Sequence, residues 1–205
     1  MIKIERTSVM NFENAIRGSR NALNSWSRMD SYYDKNGNFV LGPNDLSLAT
    51  RLAKAGSDHR KFMRQIFVSA DFTAPLYWWK EYDTYKVATV ANSCSTMHKI
   101  HAKEFTAEDF SHEHLLTENV VYFGQTIERL NNARNKYLET KNKDYWWQMI
   151  QLLPTSYNQL RTCTFNYETL RNIYHARRFH KLDEWHVICF TERQGRDAES
   201  GPNFS

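Results

Sequence analysis

The chain has 205 residues, 41% hydrophobic and 24% charged, which is enough for one good core and excludes a mainly disordered protein. Its net charge of +4 suits an anionic small molecule or a nucleic acid without choosing between them, and three widely spaced cysteines, Cys94, Cys163 and Cys189, fit neither a disulfide framework nor a C-x-x-C pair. No apolar stretch reaches the length of a membrane span, and Met1 to Arg6 lacks the run of a signal peptide, so we expect a cytoplasmic single domain over residues 1–192, without membrane contact, and a mobile polar tail over 193–205.

Ile2 to Arg6 alternates apolar and polar residues like a short strand, and Asn11 to Leu23 reads as a helix interrupted at Gly18. Tyr32-Tyr33, the turn pair Asn36-Gly37 and Phe39-Val40 read as a loop or small hairpin. A helix then starts at Gly42-Pro43 and stops at Gly56, with Leu46, Leu48, Ala49, Leu52 and Ala53 on one side. Apolar residues at even positions from Phe62 to Phe72, broken by Arg64, predict a strand with one buried face. Pro75 needs no amide proton in a first helical turn and opens the next helix, with Leu76, Trp79 and Tyr82 at helical spacing. Asn92 to Thr96 carries hydroxyl, thiol and amide groups unsuited to a helix interior and reads as a polar loop. Val120, Phe123, Ile127, Leu130 and Tyr137 trace a long amphipathic helix between Thr117 and Thr140, and Tyr145 to Leu153 makes another, closed by Pro154. Arg161 to Phe165 reads as a strand, Asn166 as the cap of a helix running to about Arg178, and Leu182 to Phe190 as a last helix. The fold class is α/β (α+β), a mixed domain with long helices.

Several chemistries are excluded by pattern. No P-loop, Gly-x-Gly-x-x-Gly or Gly-x-Ser-x-Gly occurs among the seven glycines. His98-x-x-His101 and His112-x-His114 have spacings a metal could use, but neither has a companion cysteine or an HExxH context, so no metal is expected. The aromatic cluster Tyr77, Trp78, Trp79, Tyr82 and Tyr85 could stack on a planar ligand, and core packing is the favoured reading.

Asn166 and Arg177 are more informative. Eleven residues of helix return them to within about 20° of one face while separating them by roughly 16 Å, so they could grip two parts of an extended ligand but not one small ion. The bland alternative is a helix cap followed by a solvated basic patch of Arg177, Arg178 and Lys181. Lys86 and the donors from Thr89 to Ser95 could cradle a phosphate or a base edge, or form a plain polar turn. Cys94 as a nucleophile is disfavoured, because no neighbour that would lower its pKa can be read from the sequence.

Two groups of residues recur in a known order. The first is Gly56-Ser57-Asp58-His59, then Thr73-Ala74-Pro75-Leu76-Tyr77, then Thr84 to Thr96; the second is Leu153-Pro154, Thr162 to Thr164, and Asn166 to Arg177. Together they cover a little under half the chain and resemble the flavin-dependent thymidylate synthases, the ThyX family. That family has a Gly-His-Glu-Ser turn, a signature Arg-His-Arg-x-x-Ser-x-Asn-Glu-x-Ser-x-Arg, and a helix of form Asn-x-Arg-x-Leu-x-x-Phe-x-x-x-Arg. Asn166, Leu170, Asn172 and Arg177 fall in register with the helix without a gap. In the signature, an ungapped reading puts Lys86 at the third basic residue, Thr89 at the first serine, Asn92 at the glutamate and Cys94 at the second serine. One inserted residue instead puts Asn92 at the asparagine and Ser95 at the serine. Thr84, Tyr85 and either Thr96 or Met97 stand where the family has Arg, His and Arg, and Glu168 replaces a helix arginine, a loss of positive charge at a site meant for phosphates.

The resemblance implies a ThyX-like fold, with a central mostly antiparallel sheet and long helices packed on it. It implies a flavoprotein methyltransferase that converts dUMP to dTMP or acts on a related pyrimidine nucleotide, with FAD as cofactor, NADPH and methylenetetrahydrofolate as co-substrates, and a homotetrameric assembly. It assigns Arg177 as catalytic; Lys86, Asn92, Cys94, Ser95, Arg177 and Arg178 to the substrate; and His59, Lys86, Thr89, Asn166 and Asn172 to FAD. Two other readings stand beside it: a ThyX-fold nucleotide-binding protein that has lost the reaction and, less favoured, a single-stranded nucleic-acid binder, nucleic acid not being an expected partner.

Overall fold

The computed structural model describes residues 2–190, which form two compact units: residues 2–5, 71–85 and 91–162 in the first, and 6–70, 86–90 and 163–190 in the second. The tail expected at 193–205 lies outside the described residues. Helices and strands are mixed along the chain, and the larger sheet has four strands in the order β1 (Lys3–Met10), β4 (Phe67–Pro75), β6 (Asn158–Asn166), β5 (Thr89–Ser93). The architecture is the α+β class expected, with an antiparallel sheet.

Most elements follow from local chemistry. A small antiparallel hairpin joins β2 (Tyr32–Tyr33) to β3 (Phe39–Val40), where the Asp34 carboxylate accepts the amides of Asn36 and Asn38 at 2.9 and 2.8 Å and Gly37 takes a φ of 79°. In β4, Val68, Ala70, Phe72 and Ala74 are buried at every second residue, as the even-position pattern required.

That pattern reached too far back. Lys61–Gln65 is a short helix, α3, because Phe62 and Ile66 are four residues apart, a spacing that satisfies one helical face as well as a strand. Pro75 ends β4 in extended conformation, and α4 follows it as Leu76–Tyr82. The expected loop at 92–96 is shorter, since Asn92 and Ser93 belong to β5, and β1 runs four residues beyond the expected Arg6.

In the first unit, α5 (Thr117–Thr140) and α6 (Lys143–Leu152) pack around Ile100, Phe105, Phe110, Leu130, Ala133 and Met149. Trp78, Trp79 and Tyr82 are buried core residues, with Trp79 Nε1 donating to the Gln159 carbonyl at 3.1 Å. They are therefore closed to a planar ligand. Arg161 lies 4.2 Å above the Trp79 ring and is held there by Asp83 at 2.8 Å.

In the second unit, α1 (Phe12–Ser19), α2 (Pro43–Lys54) and α3 enclose Ala15, Ile16, Ala49, Ala53, Phe62, Met63 and Ile66. Beside this core lies a buried ion pair. Asp45 Oδ1 takes the Arg20 guanidinium at 2.6 Å, and Oδ2 accepts the Ser31 hydroxyl and amide at 2.5 and 2.9 Å. Asp30 in turn accepts the amides of Asn44 and Asp45 at 2.8 and 3.0 Å, and a side chain at Gly42 would fall on Asp30.

Candidate functional site

The second unit gathers seven of the expected site residues around α7 (Tyr167–Arg177). Asn166, 5% exposed, ends β6 in extended conformation, and its Oδ1 accepts the Thr169 amide at 2.9 Å, satisfying a helix donor that would otherwise lack a partner. The Thr169 hydroxyl sits 3.1 Å from Asn166 Oδ1 and 3.2 Å from the Val87 carbonyl, so it reaches the segment that carries Lys86 and Thr89. In that segment Ala88 holds a φ of 55°, a left-handed conformation that costs an alanine about 1 kcal/mol or more and persists only where surrounding bonds enforce it. Thr169 is the tying residue that the sequence did not reveal. Asn166→Ala is expected to lower stability by about 1 kcal/mol through the lost cap, measured by urea unfolding, with the α7 amide of Thr169 losing hydrogen-exchange protection.

Arg177 is half-buried with its guanidinium 5.0 Å from the centre of the fully buried Trp185 ring, on α8 (Asp183–Phe190). Asn172 is exposed on α7. His59 is exposed in a turn in which Gly56, at a φ of 107°, accepts the amides of His59 and Arg60 at 3.2 and 3.1 Å. Lys86 is exposed and Thr89 is half-buried.

Glu168 has a specific partner set. It accepts Arg60 Nε at 2.9 Å and lies 3.4 Å from Arg64 Nε, so this carboxylate answers two arginines, one just before α3 and one in its last turn. Further along α7 come Arg171 and His175, and Arg178 caps its C-terminus. Although His175 is largely exposed, desolvation by its surroundings, then the charges of Arg171, Arg178 and Arg60, hold its imidazole below the ordinary value. Arg178 packs its guanidinium over Phe179 at 4.8 Å and Tyr174 at 5.5 Å, and its Nε is buried without a hydrogen-bond partner among the described residues. The pair Arg60-x-x-x-Arg64 was the signal in the sequence; nothing there linked it to Glu168.

Asn92, Cys94 and Ser95 fall in the first unit. Asn92 is exposed on β5. The Cys94 amide donates to the Leu160 carbonyl at 2.9 Å, its carbonyl accepts Gln159 Nε2 at 2.6 Å, and its thiol is exposed. The Ser95 hydroxyl oxygen accepts the amides of Met97 and His98 at 3.2 and 2.9 Å, closing a local turn. Among the described residues no three His, Cys, Asp or Glu side chains are placed to hold a metal ion, and no helix is long and apolar enough to cross a membrane.

The fold is that of the flavin-dependent thymidylate synthases. Two structures of thymidylate synthase X from Helicobacter pylori, each with FAD and dUMP, match with TM-scores of 0.65 and 0.66 at 15% identity, over 92% of this chain and 90% and 89% of theirs. A UMP/dUMP methylase, PolB from Streptomyces cacaoi, bound with 5-Br UMP, matches with a TM-score of 0.52 at 12% identity, over 85% of this chain and 75% of that one. No protein-family model and no curated protein sequence matches the chain.

Proposed function

We propose that this chain is a flavin-dependent methyltransferase of the thymidylate synthase type, acting on dUMP or a related pyrimidine nucleotide. The observation that carries the reading is α7: a capped helix with Asn166, Asn172 and Arg177 at the family's spacing, on a fold matched over 92% of this chain by proteins holding FAD and dUMP. The donor set of the second unit suits such ligands. Asn166 commits its carbonyl oxygen to the helix cap, so the amide nitrogen remains to donate, which suits the carbonyls of a flavin or a uracil ring. Arg177, steadied over Trp185, supplies a planar cation for a nucleotide phosphate, and Lys86 a second charge. When bound, reduced FAD would supply hydride and methylenetetrahydrofolate the carbon, with NADPH restoring the flavin.

A homotetramer belongs to the same proposal. Exposed Leu116, Val120, Val121 and Tyr122 at the start of α5 offer apolar surface of the kind an assembly buries.

The second reading, a nucleotide-binding protein that has lost the reaction, is favoured by Glu168, which neutralises arginines where the family places one more. Purification separates the two. The enzyme is expected to carry, or take up on reconstitution, a chromophore absorbing near ~450 nm, and then to methylate dUMP when NADPH and methylenetetrahydrofolate are added. A colourless protein that binds dUMP but never flavin would leave the second reading standing.

A further inference from the structure

We propose that Thr169 is a positioning residue of the FAD site: its hydroxyl holds the Val87 carbonyl, keeps Ala88 left-handed, and so fixes Lys86 and Thr89 relative to one another. The proposal rests on the flavin reading for the identity of the ligand and on the geometry of the second unit for the device itself.

Residues 86–90 and 163–190 both belong to that unit. Ala88 stands between Lys86 and Thr89 at a φ of 55°, and a return to the ordinary value of about −60° would turn the chain through roughly 115° at that one bond. Lys86 and Thr89 cannot both keep their places through such a change, so their spacing is set by a single dihedral.

Packing does not hold that dihedral. Lys86, Val87 and Ala88 are all exposed, Val87 at 85%. The Val87 carbonyl accepts the Thr89 hydroxyl at 3.4 Å, a contact within the turn, and the Thr169 hydroxyl at 3.2 Å. Among the described residues, Thr169 is the one side chain from outside the turn that bonds to residues 86–88.

Thr169 is anchored independently of the turn it holds. It is 8% exposed in the first turn of α7, and its amide donates to Asn166 Oδ1 at 2.9 Å. Its one hydroxyl proton has two acceptors in reach, the Val87 carbonyl and Asn166 Oδ1 at 3.1 Å. The Asn166 oxygen already receives the Thr169 amide, so the proton does more at the carbonyl. The net worth of one neutral hydrogen bond and the cost of one left-handed alanine are of similar size, so removing the first releases the second.

The test compares Thr169→Val, which removes the hydroxyl and keeps the shape, with Thr169→Ser, Ala88→Gly and the double variant Thr169→Val/Ala88→Gly, all in the full-length protein. FAD is titrated into each by fluorescence, and the Ala88 carbon shifts, which report its φ, are read by NMR in the flavin-free state. Thr169→Val is expected to weaken FAD binding about three- to tenfold, with the Ala88 shifts leaving their left-handed values, and Thr169→Ser to recover most of the affinity. Glycine carries no left-handed penalty, so in the Ala88→Gly background the valine costs less than about twofold. A purely structural role for Thr169 within α7 would not be cured by a glycine at position 88. A wild-type protein that takes up no FAD overturns the proposal together with the flavin reading. The proposal alone is overturned if the wild type binds FAD but the folded valine variant binds it equally well, keeps the left-handed Ala88 shifts, or loses as much affinity with glycine at position 88 as without it.

Discussion

Asp45→Asn is expected to destabilise the protein by about 3–5 kcal/mol, because it strips a buried arginine of its counter-charge while leaving the arginine in place. Asp45 is 1% and Arg20 4% exposed, so both charges lie away from bulk solvent. The loss is large because Asp45 also anchors the Ser31 amide and hydroxyl, and Asp30 N lies 3.2 Å from Oδ2, so the segment before the hairpin loosens with it. Thermal unfolding reads this as a drop of roughly 6–20 °C for a chain of this size. Acid titration gives an independent check. Burial acts to raise the Asp45 carboxyl, but the bonds from Ser31 and Arg20 together outweigh it and hold the group below its ordinary 3.8. Its contribution is therefore present above the unfolded value and lost as pH falls through the lower folded one. The asparagine variant should lack that part of the acid-unfolding slope, and an unchanged slope would show that the pair carries no stability.

Arg177→Ala is expected to lower kcat/KM for dUMP about 10- to 150-fold, the range that a charge-assisted bond of roughly 1.5–3 kcal/mol commands. The effect should appear in the dUMP dissociation constant measured by calorimetry, with the flavin spectrum retained, because the proposal gives Arg177 to the nucleotide phosphate. Arg177→Lys should recover part of the affinity, since a point charge replaces the fork but not its geometry. Structure alone predicts something different: removal of the contact with Trp185 costs a fraction of a kcal/mol to about 2 kcal/mol of stability and leaves kcat/KM intact. A variant that melts earlier but turns over dUMP normally would assign Arg177 to packing.

The legible parts of this protein were those where chemistry is local. The 24 residues of α5 repeat their apolar side at helical spacing long enough to fix both ends at Thr117 and Thr140. Asn166 announced a cap because a short amide side chain before an amphipathic run has few better places to be. Where a segment is short, the same information fails: five residues from Lys61 to Gln65 satisfied the strand pattern and the helix pattern at once, and packing of Phe62 and Met63 chose the helix. Polarity misled at Asn92 and Ser93, since side-chain character says little about a strand stabilised by its backbone ladder.

The candidate site divides in the same way. The spacing from Asn166 to Arg177 is a property of one helix and was written in the residues. That Glu168 meets Arg60, 108 positions earlier, and that Thr169 reaches the backbone of Val87, 82 positions earlier, was not written there. By itself the sequence determined the longer helices, the Asn166 cap and the total charge, because those depend on neighbours within a few residues or on none. Tertiary structure alone decided which charges cancel and which stay unanswered, because an ion pair depends on distance through space and the chain records only distance along itself.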